Sequence, residues 1–195
     1  MDENIRNDIE KLIDRRVWVT KKARMEAEAR MNRNNFLTQL LVNYYTFVVL
    51  AFSIWTLVSE DSRISLLTVI ASVGLFGISI FVGAMGYREK ALQYKDSYLS
   101  LNKLESNLRY LLRNQEQEDK VVIEKLKSYE ETYAEILAKS ENHADTDYIK
   151  VRIKHGTENS ASNLFKYYIY KVISYIFGLI LILAPIIGSF LYLKG

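Results

Sequence analysis

The chain has 195 residues, 49% of them hydrophobic, with a formal net charge of +3, no cysteine, two histidines and one proline. The missing cysteines exclude a disulfide framework, a thiol nucleophile and any zinc site that needs thiolate ligands. The apolar residues are bunched into long runs, which excludes a single soluble domain and predicts a mosaic of membrane-spanning and water-facing pieces; with so little proline and glycine between long periodic stretches, both kinds of piece read as helical, giving an all-α chain without sheet.

Residues 1–35 form the first piece. Ile5, Ile9, Leu12, Ile13 and Val17 fall on one side of a helix over 3–34 with charges elsewhere, the pattern of an arm that packs on another helix. A long polar stretch precedes the first apolar run, so that run is expected to anchor the chain rather than to be cleaved as a signal peptide. A transmembrane hairpin follows at 36–87. Phe36–Val58 carries no charge; at a rise of about 1.5 Å per residue it is about 34 Å long, sufficient for a hydrocarbon core of about 30 Å. Ile64–Tyr87 has the same property. The Ser59–Arg63 break between them is too short to cross a bilayer, so the two spans are antiparallel neighbours.

Residues 88–166 make a water-facing helical region. Tyr87, Tyr94, Leu101 and Leu108 recur every seven residues and are joined by Leu104 and Leu111. This is the apolar seam of a helix packed on a helix, and the second span is predicted to run straight into it. The polar stretch Asn114–Asp119 interrupts the seam, which resumes as Val122, Leu126, Tyr129, Tyr133 and Ile136; the expected shape is a helical hairpin bent at 114–119. The last piece, 167–195, holds a third span at Val172–Leu193. Tyr167, Tyr168, Tyr170 and Lys171 at its start suit the headgroup level, and Pro185 within it removes a backbone donor and predicts a kink. Lysine and arginine collect ahead of the first span, at Arg16 through Arg33, and again at Arg88, Lys90, Lys95, Lys150, Arg152, Lys154 and Lys166, against Arg63 in the break. The positive-inside rule then places the N-terminus and 88–166 in the cytoplasm and the C-terminus outside.

Gln39, Asn43, Thr46, Ser53 and Thr56 share one face of the first span. Amides at membrane depth are costly in lipid, so this stripe either lines an ion path in an oligomer or forms hydrogen bonds between helices. The second span carries small residues on two sides, Ser72, Ser79, Gly83 and Gly86 on one and Gly74, Gly77 and Ala84 on the other, where helices of the same or another subunit approach closely. Lys21, Lys22, Arg24, Arg30 and Arg33 stand just ahead of the first span. Contact with anionic headgroups accounts for such a cluster, and the same cations would also serve to bind the phosphates of a nucleotide. Catalytic apparatus is not visible: His143 and His155 are not at metal-binding spacing, no glycine-rich phosphate loop or nucleophile elbow occurs, and acidic pairs such as Glu130 and Glu131 lie on a charged helix. No enzymatic activity, metal site or cofactor is expected.

The run Trp18-Val19-Thr20-Lys21-Lys22-Ala23-Arg24-Met25-Glu26-Ala27-Glu28-Ala29-Arg30 leads into Phe36, with Tyr44-Tyr45 inside the first span. The second span exits through Tyr87-Arg88-Glu89-Lys90-Ala91, followed by Tyr94, Tyr98 and Leu101, and later by Tyr133, Glu141-Asn142-His143 and Asp147-Tyr148. Over about 15–150 this pattern resembles the SLATT family, which couples two transmembrane helices to cytoplasmic helices; the third span is expected to lie beyond the common core. The resemblance implies a pore-forming effector, an ion channel of bacterial anti-phage defence, seated in the inner membrane. Its control would come from a nucleotide or oligonucleotide made by a partner nucleotidyltransferase, and its output would be death or arrest of the infected cell, as in abortive infection. Two helices from one chain cannot enclose a pore, so this reading requires a homo-oligomer, with four subunits expected. The competing reading, a membrane-anchored helical scaffold that docks a soluble partner, accounts for the seams equally well.

Overall fold

The computed structural model describes residues 2–59, 61–114, 118–157 and 160–194, with side chains through 191. Its elements, in chain order, are α1 (Glu3–Lys11), a π-helical turn (Leu12–Val17), α2 (Trp18–Ser59), α3 (Ser62–Ala84), α4 (Tyr87–Arg113), α5 (Asp119–Ala138), α6 (Asp145–Lys154) and α7 (Ala161–Lys194). The described residues contain no strand, in keeping with an all-α chain. They divide into two compact units, one built from Met1–Asn32 and Arg88–Tyr167, the other from Arg33–Tyr87 and Tyr168–Gly195.

The first unit is a helical bundle closed around the predicted seams. Asp2 starts α1 by accepting a hydrogen bond from the Asn4 amide at 3.2 Å, which satisfies one of the orphan donors of a helix N-terminus. The helix then widens: the Trp18 amide bonds the Ile13 carbonyl, five residues back. That wider turn brings Leu12 and Val17 to one face, and both are buried. With Ile9 and Ile13 they close on Leu101, Leu104, Leu108 and Leu111 of α4 and on Val122, Tyr133 and Ile136 of α5, while Ile5, Leu126 and Tyr129 flank this core. Helix α4 ends at Arg113 and α5 begins at Asp119, and within the bend predicted at 114–119 residues 115–117 lie outside the described residues. Helix α6 has no counterpart in the expectations above. Its amphipathic signal is short, and its start is fixed by Asp147, whose carboxylate accepts from the Ala144 amide at 3.1 Å.

One expectation is corrected. The second span does not run straight into the seam helix, because α3 ends at Ala84 and Gly86 takes a left-handed conformation with φ of 60°. The Met85 amide reaches the Phe81 carbonyl at 3.1 Å and the Gly86 amide reaches that of Gly83 at 3.3 Å, closing the helix end in the way a glycine without Cβ permits.

In the second unit, each of the three long helices contains a stretch long and apolar enough to cross a membrane. Pro185 lies inside α7 and has no amide hydrogen to give, which orphans the carbonyl four residues earlier, that of Leu181. Tyr45 of α2 supplies the missing donor: its hydroxyl bonds the Leu181 carbonyl at 2.7 Å. The adjacent Tyr44 hydroxyl donates to the Ile182 carbonyl at 2.8 Å. Membrane helices tolerate proline where a neighbouring side chain satisfies the freed backbone in this way. Tyr45→Phe is therefore expected to cost about 1 kcal/mol, the scale of interhelical hydrogen bonds in lipid. Pro185→Ala in the Tyr45→Phe background should recover that loss by restoring the backbone donor. Unfolding in mixed micelles would measure this double-mutant cycle, and additive effects would refute the coupling.

Candidate functional site

Two groups of residues carry the functional expectations, one in each unit. The basic group lies at the start of α2, and most of it is already occupied within the first unit. Lys21 Nζ pairs with Glu105 at 2.5 Å, with both side chains largely buried, and also donates to Asn102 at 3.2 Å. Arg30 grips Asp147 with two parallel bonds, Nε to one carboxylate oxygen at 2.9 Å and Nη2 to the other at 2.8 Å. This is the fork geometry that distinguishes arginine from lysine. Lys22 lies 5.9 Å from the Trp18 ring centroid, and the Trp18 ring meets His155 edge to face. Arg33 is exposed. The structure thus gives Lys21 and Arg30 partners of their own.

Arg24 differs from the others. It is fully buried, its Nη1 donates to the hydroxyls of Ser97 and Ser140 and to the Ile136 carbonyl, and its Nε and Nη2 have no hydrogen-bond partner among the described residues. The Tyr94 hydroxyl donates to the Asn142 carbonyl at 3.0 Å. Tyr133 shares a hydrogen bond with Thr20 at 2.9 Å. The Nδ1 of His143 is buried and without a partner as well. Burial, and then the charge of Arg24, hold His143 below its ordinary pKa, against the weaker pull of Asp147 and Asp145.

Sequence reasoning missed the acids that pair with cations across this unit. Glu26 receives Lys150 at 2.6 Å and also Lys154. Burial pushes its carboxyl pKa up, but the hydrogen bonds and charges of the two lysines outweigh burial and hold it below the usual carboxylate range. In Glu105 burial is likewise outweighed, by Lys21 and Arg109. The available signal was the run Asp145-Thr146-Asp147 ahead of Ile149, Val151 and Ile153, an acidic first turn leading into apolar residues.

The polar stripe lies in the second unit. Gln39, Asn43 and Thr46 are exposed, whereas Ser53 and Thr56 are half-buried. The hydroxyls bond their own helix: Thr46 to the Val42 carbonyl at 2.8 Å, Ser53 to that of Val49 at 2.9 Å and Thr56 to that of Ser53 at 2.8 Å. Gln39 donates to Asn35 at 3.2 Å, again within α2. The Asn43 side chain makes no hydrogen bond to any described residue. The spans α3 and α7 leave the Gln39–Thr46 face uncovered. Tyr44, Val48 and Phe52 line instead an apolar cleft of about 290 Å³ together with Trp55, Pro185 and Ile186. The small residues of α3 are also open, since a Cβ placed at Gly74, Gly77 or Gly83 would meet nothing within 4 Å. No group of three or more metal-ligating side chains occurs among the described residues.

The family described as SMODS and SLOG-associating 2TM effector domain family 5 matches residues 5–191. The match extends well past the 15–150 read from the sequence and takes in α7, which corrects the expectation that the third span stands outside the common core. The bonds from Tyr44 and Tyr45 to α7 give the physical reason, because they make the third apolar helix part of the same unit as the hairpin. No curated protein matches the chain, and no solved structure does.

Proposed function

The chain belongs to the SLATT family of two-transmembrane effector domains, and on that premise we propose that it is a homo-oligomeric ion channel of bacterial anti-phage defence, held in the inner membrane and switched by a nucleotide or oligonucleotide. A partner nucleotidyltransferase makes the ligand, the N-terminus and the first unit face the cytoplasm, and the C-terminus lies outside. The ring has four subunits, each contributing its α2 stripe to the ion path. The channel performs no chemistry on its ligand.

The observation that carries this reading is the open face Gln39, Asn43 and Thr46. An amide such as Asn43, without a partner at membrane depth, costs several kcal/mol against hydrocarbon. It is stable there only against water or against another copy of the chain, and a ring of α2 helices supplies both. The open small-residue faces of α3 suit close contact between subunits. Shifting such a ring from 1:99 to 99:1 open needs about 5.5 kcal/mol of differential ligand affinity, or about 1.4 kcal/mol at each of four sites.

Ion flux through liposomes containing the purified protein tests the proposal, with and without nucleotide extract from cells expressing the nucleotidyltransferase. Flux is expected to change with extract, and Asn43→Leu and Gln39→Leu are expected to lower it by removing the polar groups that hydrate the path. Equal flux from parent and both variants would exclude the stripe as the pore lining. No flux under any condition would favour the scaffold reading.

A further inference from the structure

We propose that the Nε–Nη2 edge of Arg24 receives a phosphate group, seated beside His143 where α2, α4 and the end of α5 meet. The comparison with Arg30 is direct. Six residues further along α2, the same two nitrogens of Arg30 hold both oxygens of Asp147. The corresponding edge of Arg24 is buried and holds nothing. A guanidinium does not give up its proton in a protein, so its charge persists in the interior and calls for an oxyanion. Carboxylates nearby hold other cations, Asp147 with Arg30, Glu105 with Lys21 and Arg109, Glu26 with Lys150 and Lys154, and Glu141 with Lys90, and no described carboxylate bonds the Nε–Nη2 edge of Arg24. An oxyanion supplied by a ligand would complete that edge.

Its chemistry follows from the donors. Two oxygens on one centre match the fork of Arg24, and a third can accept from the partnerless Nδ1 of His143 in the tautomer or charge state that puts a proton there. A tetrahedral phosphate presents three such oxygens. The half-buried His143 sits in the segment between α5 and α6, exposed at Glu141, Asn142 and Ala144, which a ligand would have to displace to reach the buried edge of Arg24. The inference deepens the proposed nucleotide control and rests on it only for the source of the phosphate, which is either the free anion or the phosphate of a nucleotide.

The test is the thermal midpoint of the full chain in detergent micelles, titrated with inorganic phosphate and with AMP at ionic strength held constant by sodium chloride. A saturable rise with phosphate is expected, as for any ligand that binds the folded state. Tighter binding of AMP would identify a nucleotide as the source, and no gain over phosphate the free anion. Arg24→Met removes the fork and is expected to weaken the response at least about tenfold, comparable to losing a charge-assisted hydrogen bond. Its fold should persist, because Ser97 and Ser140 can return their hydroxyls to their own backbone. If Arg24→Met does not fold, His143→Phe serves in its place, with an expected loss of several-fold. A parent protein that does not respond to either probe, or a response unchanged in the folded variant, would overturn the site. Liposome flux is a separate readout: a phosphate response without flux upholds this site and counts against the channel, and flux without a phosphate response does the reverse.

Discussion

Asp147→Ala is expected to destabilise the first unit by about 3 kcal/mol, the lower end of the range for breaking a buried ion pair from one side. The magnitude follows from what remains. Asp147 is nearly inaccessible, and Arg30 keeps 24% of its side-chain exposure, so water can reach but not fully rehydrate the abandoned guanidinium. The same carboxylate holds the Ala144 amide at the start of α6, so α6 loses its N-terminal anchor together with its tether to α2. Asp147→Asn keeps an acceptor for one of these bonds and should cost less. Glu10→Ala, which breaks the exposed pair with Arg6 at 3.1 Å, should cost under about 0.5 kcal/mol. Denaturant unfolding of the full chain in micelles would measure all three, with Trp18 reporting on the first unit and Trp55 on the second. An Asp147→Ala variant no less stable than Glu10→Ala would show that the pair holds nothing.

What the sequence made legible, and what it hid, divides along physical lines. Burial that repeats with the period of a helix is a local property, so the seams at Leu101, Leu104 and Leu108 and at Val122, Tyr133 and Ile136, and the arm from Ile9 to Val17, could be read before any coordinates. Charge-free length is local too, and it marked the three apolar helices. Pairing between distant residues is not local. Arg30 and Asp147 are 117 positions apart, and the basic cluster gave no sign that three of its members point into the bundle. Pro185 was visible as a missing donor, but its remedy in Tyr45 lies 136 positions from the carbonyl it serves. The break at Gly86 was hidden for another reason. The seven-residue repeat from Tyr87 onward continues the helical pattern across it, and a single glycine reads equally well as a small packing residue. The match through residue 191 likewise depends on a helix whose role in the unit comes from contacts rather than from its own composition.

Leu101→Ala is expected to cost about 2–5 kcal/mol, the loss of buried methyl groups plus the cavity they leave. Leu101 is fully buried in the core that joins the N-terminal arm to α4 and α5. Leu99, two positions earlier on the same helix, is 50% exposed, and Leu99→Ala should cost under about 0.5 kcal/mol. The two substitutions remove the same atoms from one helix, so neither helix propensity nor mean hydropathy separates them; only the face does. Equal losses would mean that the seam does not organise this unit. On the proposed function the loss also bears on signalling. A ligand that acts through Arg24 can shift a population only if α2, α4 and α5 move as one body, and Leu101 belongs to the packing that ties the arm to that body. Leu101→Ala should therefore reduce the nucleotide response of the liposome flux more than it reduces the flux itself, with Leu99→Ala close to the parent in both. If Leu101→Ala lowers basal flux and leaves the response intact, the first unit supports the pore without carrying the signal.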